Sequence, residues 1–170
     1  IPNTKYLEGK EKNIRGVIFT HGHLDHIGAA PIVLEKLGNP PIVARPLTVA
    51  LIKHKQDDYK KGTADKLKVV MVKSLKDTVK LGKITAKFFQ VEHSIMDSMG
   101  VTLETPAGTI VHPGDWTMER DASGKTRVNY DQLAKIKQRP VTLMLESLGA
   151  LNEKRHGTYE EMYKNLQGII

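Results

Sequence analysis

The 170-residue chain contains no cysteine, which excludes disulfides and thiolate metal ligands. It also has no apolar run near the roughly 18 residues that a membrane-spanning helix needs, so we expect no membrane insertion. Its opening segment, IPNTKYLEGKEKN, lacks a basic stretch followed by an apolar core, and we therefore expect no signal peptide. These absences are compatible with a cytoplasmic protein, which is the location we expect.

Positive charge is what the chain has in excess. Lys and Arg number 26 against 19 Asp and Glu, which gives a net charge of +7 at pH 7. Such an excess favours encounter with polyanions, nucleic acid first among them. Lysine-rich cytoplasmic proteins also carry this charge without binding any polyanion, so charge alone leaves both interpretations open. The composition, with 39% hydrophobic and 26% charged residues, predicts one soluble globular domain.

The first part of the chain alternates between short apolar strands and helices. We predict strands at residues 17–20 and 41–44, and helices at 29–37 and 47–56. Pro31 lies in the first turn of the earlier helix and Gly38 just past its end, as helix boundaries favour. This alternation of strands and helices predicts a layered α/β architecture.

The later part changes to strands and hairpins before helices return. The predicted strands are residues 67–72, 83–91, 101–104, 109–112 and, as a buried strand, 141–145. A turn at 105–108, with Pro106 and Gly108, joins two of them. Helices are predicted at 130–138 and 158–166, and the segment 119–129 is the candidate linker.

The strongest functional signal is the segment HGHLDH, from His21 to His26, directly after the first predicted strand. Residues i and i+2 of an extended chain point the same way, so His21 and His23 can hold one cation. Asp25 and His26 lie beyond the bend and can reach a second cation. Neutral imidazoles with carboxylates suit zinc and tolerate manganese or iron. The alternative interpretation is a pH-sensitive loop or the remnant of a tag.

Two more candidate ligands follow later predicted strands. His93 comes at the end of the strand at 83–91, and Asp115 follows the strand at 109–112. A carboxylate offers two oxygens and can bridge a pair of cations. Taken alone, His93 is an ordinary strand-end histidine and Asp115 an ordinary turn residue. Their placement after HGHLDH favours one shared site, in which His112 would support Asp115.

Three segments together resemble a known family. These segments resemble three successive motifs of the metallo-β-lactamase superfamily: THGHLDHIGA, VEHSIMDSMG and TPAGTIVHPGDW. Their sequences are most similar to those of the ribonuclease J-type nucleases in the β-CASP branch of that superfamily. The resemblance runs from Ile14 to Gly157. It implies an α/β (α+β layered) fold, namely a metallo-β-lactamase-like αββα sandwich.

The same resemblance implies that the chain is incomplete at both ends. An early strand, most of the β-CASP insertion and the final metal-binding histidine of the family have no counterpart here. We therefore expect residues 1–145 to form a partial metallo-β-lactamase domain and residues 146–170 to be the start of a β-CASP insertion.

The family also implies roles for the candidate ligands. Two divalent cations are expected, zinc first and manganese second. His21, His23 and His93 would hold one of them. Asp25 and His26 would hold the other and take part in catalysis, with Asp115 bridging the two. A metal-bound hydroxide would then hydrolyse a phosphodiester of RNA, single-stranded RNA in particular. Endonuclease and exonuclease action both remain open, and so does DNA in place of RNA as the substrate.

Two weaker candidates for substrate contact lie further along the chain. Glu146, within LMLES, resembles the acidic motif that opens the β-CASP insertion, and the alternative is that it caps the following loop. His156 can reach a phosphate, and the alternative is simple surface exposure.

Rival functions remain open at this point. A small-molecule hydrolase of the same superfamily, such as a thioesterase, lactonase or β-lactamase, fits the metal motif equally well. An inactive fragment that binds only RNA or a partner protein is the alternative from another class. Self-association into a homo-oligomer is also left open.

Overall fold

The computed structural model describes residues 1–118, 123–148, 150–151 and 159–169. In these ranges the strands are β1 Val17–Ile18, β2 Ile42–Ala44, β3 Val69–Met71, β4 Thr78–Leu81, β5 Ile84–Gln90, β6 Met99–Thr105, β7 Gly108–His112 and β8 Val141–Leu143. The helices are α1 Leu24–Ile27, α2 Ala30–Lys36, α3 Pro46–Tyr59, α4 Asp131–Ala134 and α5 Tyr159–Gln167. Short 3-10 helices cover Lys5–Leu7, Glu11–Asn13 and Ala64–Lys66.

The strands form two sheets of different construction. The first is parallel, in the order β1-β2-β3, with α2 and α3 among its crossover connections. The second has the order β4-β5-β6-β7-β8 and is antiparallel except for the parallel pair of β7 and β8. The sequence thus produces βαβ units first and hairpins later, because its apolar periodicity changes from helical to alternating.

Helices α2 and α3 cover one face of the parallel sheet. Ile42 and Ala44 of β2 pack there against Leu34 of α2 and Ile52 of α3, and all four are buried. The other face of β2 carries Val43, which belongs to a separate core between the two sheets. A strand buried on both faces is what a central parallel strand requires.

The second sheet closes the sandwich and carries its own outer layer. Ala86 and Phe88 of β5 pack into the core between the sheets. Phe89, on the opposite face of β5, packs in an outer cluster with Leu133 of α4. The layers therefore follow the order helix, sheet, sheet, helix, and the predicted αββα sandwich is confirmed.

One prediction about the fold was wrong. We expected a buried strand at residues 141–145, but β8 ends at Leu143 and its side chains are exposed. Within the described residues β8 pairs on one side only, with β7, and lies at the edge of the sheet. An apolar run predicts a strand but does not say how many neighbours cover it.

Several boundaries also differ from the prediction. The helix expected at 130–138 is the single turn α4, and the hairpin strand β4 was not predicted. The helix expected at 158–166 is α5, with residue 158 outside the described residues. Part of the linker expected at 119–129 lies outside them too. Across the described part of the chain, each helix is too short or too polar to cross a membrane.

Candidate metal centre

The topology brings the predicted ligands to one edge of the sandwich. β6 is antiparallel to both β5 and β7, and β8 is parallel to β7. The carboxyl ends of β5, β7 and β8 therefore point the same way, and they are followed by His93, Asp115 and Glu146. β1 supplies His21 and His23 from the other sheet. The two sheets meet here, where the Met99 N–H donates to the Thr20 carbonyl at 3.0 Å.

Two groups of candidate ligands form at this edge, and they share one histidine. His21, His23 and His93 make up the first group, and His21, His26 and Asp115 make up the second. In each group the ligand atoms lie within 4.8 Å of one another. We call these the three-histidine group and the aspartate group. Sequence reasoning had assigned His21 to one cation only, whereas the structure places it within reach of both.

Distances in the three-histidine group suit a single cation. His23 Nδ1 lies 2.9 Å from His93 Nε2. Two nitrogens bound to one tetrahedral zinc would lie ~3.3 Å apart, given zinc–nitrogen bonds of about 2.0–2.1 Å. The imidazole rings also stand edge to face, with centroids 4.7 Å apart. The two rings are therefore nearly in position to share a cation.

The aspartate group is held more openly. Asp115 Oδ2 lies 3.1 Å from His26 Nε2 and 3.9 Å from His21 Nε2. About a third of the side-chain surface is exposed in both His26 and Asp115. This carboxylate lies within reach of both His21 and His26, and its predicted role as a bridge between two cations stays a prediction.

His21 is the buried centre of both groups, and its ring supplies the best evidence for a metal. Its Nδ1 lies 3.0 Å from the Thr20 hydroxyl. Its Nε2 is buried and has no hydrogen-bond partner among the described residues. Leaving a buried polar atom unpaired costs about 1–3 kcal/mol. A cation bound at Nε2 would remove that cost, so the residues present fit a metal ion.

His21 and His93 are in the protonation state that metal binding needs. Burial, followed by the positive charge that His26 and His93 would carry, lowers the pKa of His21 to about 4. Burial, followed by His23, also lowers the pKa of His93. Both imidazoles are therefore neutral at pH 7, with a lone pair free for a cation.

Asp25 lies at the margin of the site. Its side chain is 78% exposed, and its Oδ2 lies 3.5 Å from His26 Nε2. It belongs to neither group of three, so its roles in metal binding and catalysis stay predictions.

Glu146 lies close to this part of the site. With Asp25, His26 and Asp115 it lines a cavity of about 570 Å³. It also accepts a hydrogen bond from the Leu148 N–H, the loop-capping arrangement that was its alternative interpretation. His156 lies outside the described residues.

Gly114 allows the turn before Asp115 to approach His21. Its φ is +74°, and a Cβ there would lie 2.8 Å from Thr20 Oγ1 and 2.9 Å from Thr20 Cβ. The Gly114 N–H donates to His112 Nδ1 at 2.9 Å. His112 therefore supports the turn that carries Asp115, as predicted, although it does so through the backbone of Gly114.

Sequence reasoning missed two residues next to the ligands. Thr20 contacts the ring of His21, and its place directly before HGHLDH was the available signal. Asp97 accepts hydrogen bonds from Arg45 Nε and Nη2 at 3.1 and 2.9 Å, and from the Leu47 N–H at 3.0 Å. Burial alone would raise the pKa of Asp97, but the Leu47 and Arg45 hydrogen bonds outweigh burial and lower it.

Comparison with known proteins agrees with the fold. Residues 3–129 match the family model described as the metallo-beta-lactamase superfamily. The chain belongs to this superfamily.

Within it, the chain is similar to ribonuclease J. It is 28% identical over 180 residues to ribonuclease J of Helicobacter pylori (strain ATCC 700392 / 26695), and the match covers 100% of this chain and 25% of that protein. It is 31% identical over 171 residues to ribonuclease J of Mycoplasma pneumoniae, covering 100% of this chain and 29% of that protein. The resemblance seen in the motifs is thus confirmed. The chain spans less than a third of the length of either relative.

A solved structure supports the fold alone. A protein of unknown function from Enterococcus faecalis V583 matches with a TM-score of 0.54 and 21% identity. The match covers 84% of this chain and 33% of that one.

Proposed function

We propose that this chain carries the two-cation centre of a metal-dependent hydrolase that cleaves phosphodiesters of single-stranded RNA. The observation that carries the proposal is the convergence of three histidines and Asp115 around His21. The buried Nε2 of His21 has no hydrogen-bond partner in the described part of the chain. Zinc is the expected metal, with manganese second.

The two cations would be held unequally. One imidazole nitrogen has one lone pair, and Nδ1 of His21 is already in contact with Thr20, so His21 Nε2 can bind one cation at a time. We assign it to the three-histidine group, where it joins the imidazoles of His23 and His93. His26 and Asp115 would hold the second cation, with Asp25 beside them. When bound, the cations would supply Lewis acidity and lower the pKa of water.

The chain's own residues would orient water and substrate. Asp25 is exposed and lies 3.5 Å from His26, so its carboxylate can accept a hydrogen bond from a water and take its proton. The cavity beside it is lined by the acidic residues Asp25, Asp115 and Glu146. These carboxylates repel a polyanion, and we therefore expect substrate binding here to depend on the cations.

RNA is the substrate favoured by two independent observations. The net charge of +7 attracts a polyanion to the protein as a whole. The relatives over the full chain are named ribonuclease J. Since the chain spans 25% and 29% of their lengths, the activity of a whole protein of this kind belongs to the proposal.

The test uses the full product of the gene that encodes this chain. The protein, loaded with zinc or manganese, should cleave labelled single-stranded RNA. Asp25→Ala should reduce cleavage by roughly 100-fold or more, since a positioned base contributes about 10²–10⁴-fold, with circular dichroism unchanged. Asp58→Ala, which alters an exposed carboxylate on α3, is the matched control. Efficient turnover of a β-lactam or a thioester without RNA cleavage would overturn the proposal and favour a small-molecule hydrolase.

A further inference from the structure

The loop between β5 and β6 carries His93 and is fixed near both of its ends. Before His93, the Glu92 carbonyl accepts the Thr117 N–H at 2.8 Å. This bridge holds the start of the loop against the segment that follows Asp115. Beyond His93, Ser98 donates its hydroxyl to the Ile95 carbonyl at 2.8 Å within the loop, and the Met99 N–H at the loop's end donates to the Thr20 carbonyl at 3.0 Å. The only acid between these two points is Asp97.

Asp97 joins the loop to the first turn of α3. One carboxylate oxygen accepts two hydrogen bonds from the Arg45 guanidinium, and the other accepts the Leu47 N–H. The N-cap residue of α3 is Arg45, whose side chain makes no capping hydrogen bond. Asp97 thus caps from another segment one of the N–H groups that a helix leaves unpaired at its start. Its φ of +64° is one that Asp and Asn adopt more readily than most residues.

The same helix supports the other two histidines of the group. A Cβ on Gly22, between His21 and His23, would lie 2.6 Å from Leu51 Cδ1 and 3.6 Å from the Thr48 Cα, both on α3. It would also lie 3.6 Å from Ile95 Cδ1 of the His93 loop. Helix α3 therefore packs directly beneath the HGH segment, and the His93 loop touches the same point.

We propose that Asp97 is a positioning residue for His93: by tying the His93 loop to α3, it fixes His93 against His23 and so sets the affinity of the three-histidine group for its cation. This inference rests on the proposed metal centre. His93 lies four residues before Asp97 in the chain, and its Nε2 is 2.9 Å from His23 Nδ1. Without Asp97 the loop keeps its bridge at Glu92 and the Met99–Thr20 hydrogen bond, but it loses its attachment to α3, the helix on which the HGH segment packs.

The test compares zinc affinities in competition with a chromophoric chelator. Asp97→Ala should weaken zinc binding by the three-histidine group by about 10–100-fold, the usual effect of removing a residue that orients a ligand. Asp97→Asn keeps an oxygen acceptor and tolerates the left-handed backbone, so it should restore part of this loss.

The matched control is Asp57→Ala at the other end of α3. Asp57 also accepts two backbone N–H groups, those of Thr63 and Ala64. Ten residues of helix separate it from Leu47, a rise of ~15 Å. This variant should lower the unfolding midpoint and change the zinc affinity by less than about threefold.

The outcomes separate positioning from general stability. Zinc affinity in Asp97→Ala within about threefold of wild type would overturn the proposal. So would equal losses of affinity in the Asp97→Ala and Asp57→Ala variants at equal losses of stability. If Asp97→Ala does not fold, Arg45→Gln decides: weakened zinc binding supports the proposal and unchanged binding overturns it. A wild-type chain that binds no zinc refutes the metal centre itself, before any variant is made.

Discussion

The three-histidine group and the aspartate group share His21 but differ in how the fold holds them. His23 lies between β1 and α1, as the N-cap residue of α1, His93 follows β5, and each is partly buried. His26 belongs to the four-residue helix α1, and Asp115 follows a glycine turn. The first group is supported by two sheets and α3, whereas the second depends on two short exposed segments.

The number of ligands in a group does not by itself decide which of the two cations binds more tightly. Both groups contain three candidate ligands, yet a single nitrogen of His21 serves both. In the three-histidine group, His23 and His93 already lie close together. Binding a cation there together with His21 therefore costs less conformational entropy than binding one at the aspartate group. We therefore expect the three-histidine group to fill first.

The largest effect is expected from removing the shared residue. His21→Ala leaves the three-histidine group with two imidazoles, so zinc content after purification should fall by about one equivalent per chain. Elemental analysis measures this directly. His54→Ala, on an exposed part of α3, is the control and should retain full zinc content. Unchanged zinc in His21→Ala would mean that His21 is not a ligand.

A smaller effect, mainly on the aspartate group, is expected from Gly114→Ala. The new Cβ would meet Thr20 at 2.8–2.9 Å and would force the turn before Asp115 away from His21. Zinc binding by the aspartate group should weaken by about 10-fold or more, as for other changes that misorient a ligand. The left-handed backbone adds a destabilisation of about 1–2 kcal/mol.

Gly62→Ala isolates the cause of the Gly114 effect. Gly62 has the same φ of +74°, but a Cβ there meets nothing within 4 Å. Chemical denaturation should show a similar backbone cost in both variants, whereas zinc titration should change only in Gly114→Ala. Equal zinc affinities in the two variants would show that the contact with Thr20 does not matter.

The smallest effect is expected from Thr20→Val. This change keeps the shape of the side chain but removes the hydroxyl 3.0 Å from His21 Nδ1, so the ring loses a contact that orients it. Zinc affinity should fall by about 10-fold, at the lower end of such effects. Thr20→Ser retains the hydroxyl and should bind zinc like the wild type, as isothermal titration calorimetry can check. A loss of equal size in the Ser and Val variants would argue for packing instead.

Much of the site could be predicted from the sequence because its ligands are local or follow strands. HGHLDH places His21 and His23 on one side of an extended segment. His93 and Asp115 follow the strands β5 and β7, whose parallel directions bring them together.

The rest depends on long-range packing that periodicity does not report. His21 belongs to both groups of ligands because the two sheets contact each other beside it. The link from Asp97 to Arg45 joins residues 52 positions apart. The exposure of β8 depends on how many neighbours a strand has, which its own residues do not determine.

Calorimetric titration of zinc into the metal-free chain tests the central claim most directly, with His93→Ala and His26→Ala titrated alongside. We predict one tight and one weak binding event in the wild type. His93→Ala should abolish the tight event, and His26→Ala should remove the weak event while leaving the tight one intact. Two equally tight events, or loss of the tight event in His26→Ala, would contradict the assignment of His21 to the three-histidine group.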